Sequence, residues 1–192
     1  MSPPSKPPSD AELATQHRDG DDQAFSQLME RYAPQLIAYA RRLTGNDADA
    51  QDIAQETFVR LYQNMEKLDF SQPLKPWLYR VCTNLCRNLA KRKRSTLFSE
   101  LENDDDSPSF IESLQDNEPT PAEALLRSVR AQTVRQAIAA LPQKYQVVTT
   151  LFYWEGLSYE EIASVLSLPL NTVRTHLKRA RDHLHTSLSA LL

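Results

Sequence analysis

At 192 residues the chain has room for one ordinary domain or two small ones, and not for a large multidomain enzyme. Its 22 basic and 25 acidic side chains leave a net charge of −3, but unevenly placed: 12 basic against 7 acidic over 23–95, none against 9 over 96–123, and 8 against 4 over 124–192. Three glycines leave no place for a glycine-rich nucleotide loop and two cysteines no disulfide framework; with no apolar run of about 18 residues and no export leader, a cytoplasmic protein without membrane insertion is expected.

Residues 1–20 are expected to form a disordered tail, because the stretch to Ser9 holds four prolines and only one large apolar residue. A first domain is expected over 21–95. Phe25, Leu28, Met29, Tyr32 and Leu36 recur at helical spacing, with Pro34 as a kink and Gly45 as a stop. Asp47 or Asp49 then caps a helix whose stripe Ile53, Ala54, Thr57, Phe58, Leu61, Tyr62 and Met65 follows the three-four alternation. After a loop bracketed by Pro73 and Pro76, a third helix places Leu78, Val81, Cys82, Leu85 and Leu89 inside, Arg80, Asn84, Arg87, Asn88 and Lys91 outside, and ends in the run Lys91-Arg92-Lys93-Arg94. Residues 96–122, acidic and proline-containing, read as a flexible linker.

The second domain, 123–192, opens with a helix marked by Leu126, Val129, Ala137, Ile138 and Leu141, and Pro142 is placed to begin the next. Ser158 with Glu161 forms a capping box for a short helix that Pro169 interrupts, and a long basic helix resumes from Asn171. That is helix-turn-helix spacing, in which the first helix braces a second that enters the major groove, so Arg174, Lys178 and Arg181 would face bases and phosphates. The bland alternative is a helical hairpin with a solvated basic face. The fold class is therefore all-α, two small helical domains joined by an acidic linker.

Arg and Lys beside Phe70, Trp77 and Tyr79 suit single-stranded nucleic acid, where rings stack on bases and cations follow the backbone; the bland alternative is that Trp77 and Tyr79 are core, at least as good a reading for Trp77 as stacking. The acidic stripe Asp49, Asp52 and Glu56, with Gln55 beside it, lacks the His, metal-ligand or nucleophile company of a catalytic site and suits a protein partner. No metal or cofactor is expected: Cys82 and Cys86 read as core thiols, and His183 and His185 lie in the other domain.

Asp49-Ala50-Gln51-Asp52-Ile53-Ala54-Gln55-Glu56-Thr57-Phe58, Pro76-Trp77-Leu78-Tyr79-Arg80-Val81-Cys82-Thr83-Asn84-Leu85, and Leu157-Ser158-Tyr159-Glu160-Glu161-Ile162-Ala163 with Thr172-Val173-Arg174 together resemble the bacterial sigma-70 family, in its small extracytoplasmic-function group. The resemblance covers about residues 21–192 apart from the linker. It implies a non-enzymatic factor that binds RNA polymerase core through Asp49, Asp52, Gln55 and Glu56. It implies that the melted non-template strand of the minus-ten element is read by the loop from Phe70 to Lys75, holding a flipped base, and by Trp77, Arg80, Asn84, Arg87, Asn88 and Lys91. Duplex minus-thirty-five DNA would be met by Thr172, Arg174, Thr175, His176, Lys178, Arg179 and Arg181. An anti-sigma factor is a further implied partner, and the acidic linker would thread through the polymerase cleft. Ser167 stands where the family commonly has glycine, Pro169 where it commonly has a capping serine, and His176 where arginine is frequent. The rival readings are a helix-turn-helix regulator of the response-regulator type, which has no use for the first-domain motifs, and a helical hydrolase with clustered carboxylates.

Overall fold

The structure is a computed structural model that describes residues 7–98, 133, 134 and 136–189. Every regular element among them is helical: α1 (Asp10–Arg18), α2 (Asp22–Thr44), α3 (Asp47–Asn64), α4 (Leu74–Phe98), α5 (Gln143–Tyr153), α6 (Tyr159–Leu166) and α7 (Leu170–Ser189), with further helical turns over 136–139.

The first departure from the sequence expectation is α1, which lies inside the supposed tail over 1–20. Ser9 caps it reciprocally: its Oγ accepts the Glu12 N–H at 3.3 Å, and the Glu12 carboxylate accepts the Ser9 N–H at 2.6 Å. Such a cap is worth ~1 kcal/mol, less than the ~2 kcal/mol from burying one leucine. The larger contribution is Leu13, which with Ala14 is buried against the core, while Asp10 accepts hydrogen bonds from Arg31 and Tyr32 of α2 at 2.5 Å each. Proline-rich composition describes the residues before Ser9 and says nothing of these long-range partners.

Helix α2 starts at Asp21, whose carboxylate accepts the Gln23 N–H, continues through the exposed Pro34, and stops at Gly45 in the left-handed region (φ 67°). Asn46, rather than Asp47 or Asp49, caps α3, accepting the Asp49 N–H at 2.9 Å; the two aspartates lie in the first turn, where negative charge meets the positive end of the helix dipole. Helix α4 begins before Pro76, which sits in the first turn where a missing N–H breaks no helical bond. It runs to Phe98, so the first three residues of the expected linker over 96–122 are helical, and the rest of that linker lies outside the described residues. Pro142 precedes α5 instead of opening it, and its carbonyl accepts the N–H groups of Tyr145 and Gln146 at 2.8 and 3.0 Å.

Helix α2 packs against α1, α3 and α4, burying Leu28, Leu36 and Tyr39 with Phe58, Leu61, Leu78 and Cys82. In the C-terminal half Val148, Leu151, Ile162, Val165, Val173 and Leu177 are buried where α5, α6 and α7 meet, and Ile138, Leu141, Tyr145 and Ala180 form a smaller cluster behind them. The two halves are not separate bodies. Helix α4 lies against α6 and α2 against α5, so one apolar core runs through both.

Candidate nucleic-acid interface

The helix-turn-helix depends on Ser167. It adopts the left-handed conformation (φ 54°), the Leu168 N–H bonds the Ala163 carbonyl at 3.0 Å, and the Ser167 N–H reaches the Ser164 carbonyl at 3.4 Å. These are the two bonds of a Schellman stop, and Leu168 packs on the core as that motif favours. Pro169 then offers its carbonyl to the N–H groups of Thr172 and Val173 at 2.9 and 3.2 Å, which starts α7 without a capping hydroxyl. The departures Ser167 and Pro169 therefore still give a tight turn.

On α7, Val173, Leu177 and Ala180 are buried while Arg174, Thr175, Lys178, Arg179 and Arg181 are exposed, giving a continuous cationic face. Thr172 and His176 are half-buried. The His176 ring meets Tyr145 edge-on at 5.5 Å, and burial, then Lys144 and Arg179, push its pKa below the ordinary value, which favours the neutral imidazole. Asn171, Thr172, Thr175, His176 and Arg179 border a shallow concavity on this face.

The acidic stripe of α3 is assembled as expected. Asp52 and Gln55 are exposed, Glu56 accepts from Arg60 one turn on at 2.9 Å, and Asp49 accepts from Lys93 of α4 at 2.5 Å. Ile53, Ala54, Thr57, Phe58 and Leu61 fill the opposite face.

The α4 face divides in two. Asn84, Asn88 and Lys91 are exposed and Arg87 is half-buried. The part nearer the N-terminus is covered by the other half of the molecule: Arg80 Nη2 donates to Ser164 of α6 at 2.5 Å, and Lys75 Nζ donates to the Glu155 carbonyl at 2.6 Å. Phe70 and Trp77 are half-buried and, with Gln72, Pro73 and Arg80 on one side and Glu160, Glu161 and Ser164 on the other, line a cleft of about 410 Å³. Arg80 Nε is buried there without a hydrogen-bond partner among the described residues. Tyr79 is core, fully buried edge-on to Tyr39 at 5.0 Å. Both cysteines are buried free thiols; the hydrogen bond with Cys86 and burial push the Cys82 thiol up, which keeps it protonated.

The junction centres on Glu155, which the sequence reading did not single out. Only 6% of it is exposed; Tyr79 donates its hydroxyl to the carboxylate, Arg42 donates at 3.3 Å, and the Gln146 amide bonds the Arg42 carbonyl at 3.2 Å. Arg42 also lies over the Trp154 ring at 5.5 Å. Burial raises the Glu155 pKa, opposed by the Tyr79 hydrogen bond and by the charges of Arg42 and Lys75. Nothing local marks this acid, whose partners lie 76 and 113 residues away.

Among the described residues no group of three His, Cys, Asp or Glu could hold a metal, and no helix is long and apolar enough to cross a membrane. The fold and surface thus define an all-helical protein that couples an acid-faced bundle to a basic helix-turn-helix. Residues 28–96 match Sigma-70 region 2, and residues 131–184 match Sigma-70, region 4. The chain is 32% identical over 178 residues to the ECF RNA polymerase sigma factor SigW of Bacillus subtilis (strain 168), covering 92% of this chain and 95% of that protein. It is 34% identical over 187 residues to the RNA polymerase sigma-H factor of Pseudomonas aeruginosa, covering 95% of each. Among solved structures, CnrH in complex with the cytosolic domain of CnrY aligns with a TM-score of 0.67 at 26% identity, over 94% of this chain and 97% of that one. The sigma factor RpoE, in complex with the anti-sigma factor NepR from Bartonella quintana, shares the fold at a TM-score of 0.69 and 21% identity, over 86% and 96%. The chain belongs to the sigma-70 family, in its extracytoplasmic-function (ECF) group. A response-regulator-type activator would have no region 2, and that reading is not favoured.

Proposed function

We propose that this sigma factor binds core RNA polymerase through the acidic face of α3, reads the melted minus-ten strand with α4 and the loop before it, and reads duplex minus-thirty-five DNA with α7. It does so in the cytoplasm and carries out no chemistry of its own. The observation that carries the reading is the presence in one chain of both sigma regions, each with an exposed face of the right chemistry: acids on α3 for a protein, amides and cations on α4 for bases and phosphates, and a cationic helix after a tight turn for a major groove. Because Ser164 of α6 accepts from Arg80, and the Glu155 carbonyl in the loop before α6 accepts from Lys75, this reading takes the packing as a closed form that opens before α4 meets DNA. An anti-sigma factor is a further partner in this reading, supported by the RpoE neighbour, which was solved with one.

The test is transcription by core polymerase loaded with this protein from a library randomised in both promoter elements. Selection of one upstream and one downstream sequence is expected. Transcripts without upstream preference would show that α7 has another role.

A further inference from the structure

Helix α1 lies outside the residues that match region 2, yet its last residue reaches the loop between α3 and α4. Arg18 Nη2 donates to the Met65 carbonyl at 2.8 Å and to the Leu68 carbonyl at 3.0 Å, Nε donates to Met65 at 3.2 Å, and the guanidinium carbon lies 5.3 Å from the Phe70 ring centre. Met65 is the cap residue of α3, so the cation meets a carbonyl at the negative end of that helix dipole. A planar fork that binds two carbonyls and covers a ring fixes orientation as well as distance, which a lysine ammonium would not do.

Met65, Leu68 and Phe70 pack on the core, and Arg18 adds a restraint on the loop's backbone. Its own turns are short-range: the N–H groups of Lys67 and Leu68 bond the Asn64 carbonyl at 2.9 and 3.0 Å, the Ser71 N–H bonds the Asp69 carboxylate at 2.9 Å, and the Gln72 N–H bonds the Asp69 carbonyl at 3.2 Å. These turns set local shape without fixing the loop relative to α1 or α2. Helix α1 is seated firmly through buried Leu13 and Ala14, through Asp10 bonded to Arg31 and Tyr32, and through His17 packed against the touching rings of Phe25 and Tyr62 at 5.3 and 5.4 Å. Leu68, Phe70, Gln72 and Trp77 line the 410 Å³ cleft beside α4, so any shift of the loop changes the cleft's width and the tilt of its aromatic wall.

We propose that Arg18 is a positioning residue for minus-ten recognition: it ties residues 65–73 to α1 and holds Phe70 in one geometry beside Trp77, the wall that stays on this half when α6 moves away, for an extruded base. The inference rests on the reading of α4 and its loop given above. It makes α1 part of the specificity apparatus, with Arg18 acting on the base through Phe70 and not by contact.

The experiment compares full-length Arg18→Ala and Phe70→Ala with the native chain, each assembled with core polymerase, on promoters randomised in both elements, and measures affinity for core alongside. Arg18→Ala is expected to flatten preference at one minus-ten position by about tenfold, the scale of losing one base contact, with the upstream preference and core affinity unchanged. Arg18→Lys keeps the charge without the fork and is expected to fall between the two. If Arg18→Ala leaves the profile unchanged or lowers all promoters equally while Phe70→Ala flattens it, Arg18 is only a packing residue and the loop reading stands. If neither variant changes the profile, the loop does not read a base and the inference falls with that reading.

Discussion

At the scale of single residues, the turn between α6 and α7 shows a substitution with a definite cost. Ser167 is the non-glycine residue with positive φ among the described residues, at 54°. Left-handed backbone costs an L-residue ~1 kcal/mol, which two Schellman bonds and the packing of Leu168 offset. Ser167→Gly relieves that strain, at some expense from the greater freedom of the unfolded chain. A net gain of about 0.5 kcal/mol is expected, read as a higher midpoint in denaturant with an unchanged slope. A lower midpoint would mean that the added freedom of the unfolded chain, or a lost serine contact, outweighs the relieved strain.

At the scale of elements, the two faces of α3 can be tested separately. The apolar face is complete, and Asp52 on the other side is exposed, so the acids add nothing to the core. Asp52→Ala with Glu56→Ala is expected to keep helicity by circular dichroism and change stability by less than about 0.5 kcal/mol, since it removes one exposed ion pair with Arg60, yet to weaken binding to core polymerase at least tenfold. Unchanged affinity would remove α3 from the polymerase interface. This helix was legible in the sequence, as was α6, because an unbroken three-four stripe or a capping box is a local signal and packing agreed with it. Helix α1 carries the same Ser-x-x-Glu signal at Ser9 and Glu12, which could have been read. What hid α1 is that its apolar content is short and its anchors, Asp10 to Arg31 and Arg18 to Met65, join residues 21 and 47 apart. Glu155 was hidden for the same reason: an isolated acid in a basic segment looks solvated until the fold brings Arg42 and Tyr79 to it.

At the scale of the whole molecule, the proposed opening of the junction would uncover Lys75 and Arg80, and Glu155 makes polar contacts that join the two halves there. Removing its carboxylate leaves the Tyr79 hydroxyl without its acceptor and Arg42 without its partner, a loss of about 2 kcal/mol allowing for the quarter of the Arg42 side chain that water reaches. Glu155→Ala should thus favour the open form by roughly 30-fold, since each ~1.4 kcal/mol is a factor of ten. Fluorophores on Gln63→Cys and Ser187→Cys would report it, Cys82 and Cys86 being buried; a longer distance is expected, with tighter binding of single-stranded DNA as Lys75 and Arg80 are uncovered. Protonation acts in the opposite direction. Burial raises the Glu155 pKa above 4.5 in the closed form, against the Tyr79 hydrogen bond, Arg42 and Lys75, whereas in the open form the carboxyl returns to its ordinary value. Between those two values the closed form holds more protons, so closure strengthens as pH falls from neutral towards 4.5 and weakens as pH rises through the raised value. The label distance should therefore shorten on acidification in the native chain and stay constant in Glu155→Gln, which has no proton to gain there. A distance that shortens equally in both would place the titrating group elsewhere, and one that lengthens only in the native chain would reverse the sign of the Glu155 contribution.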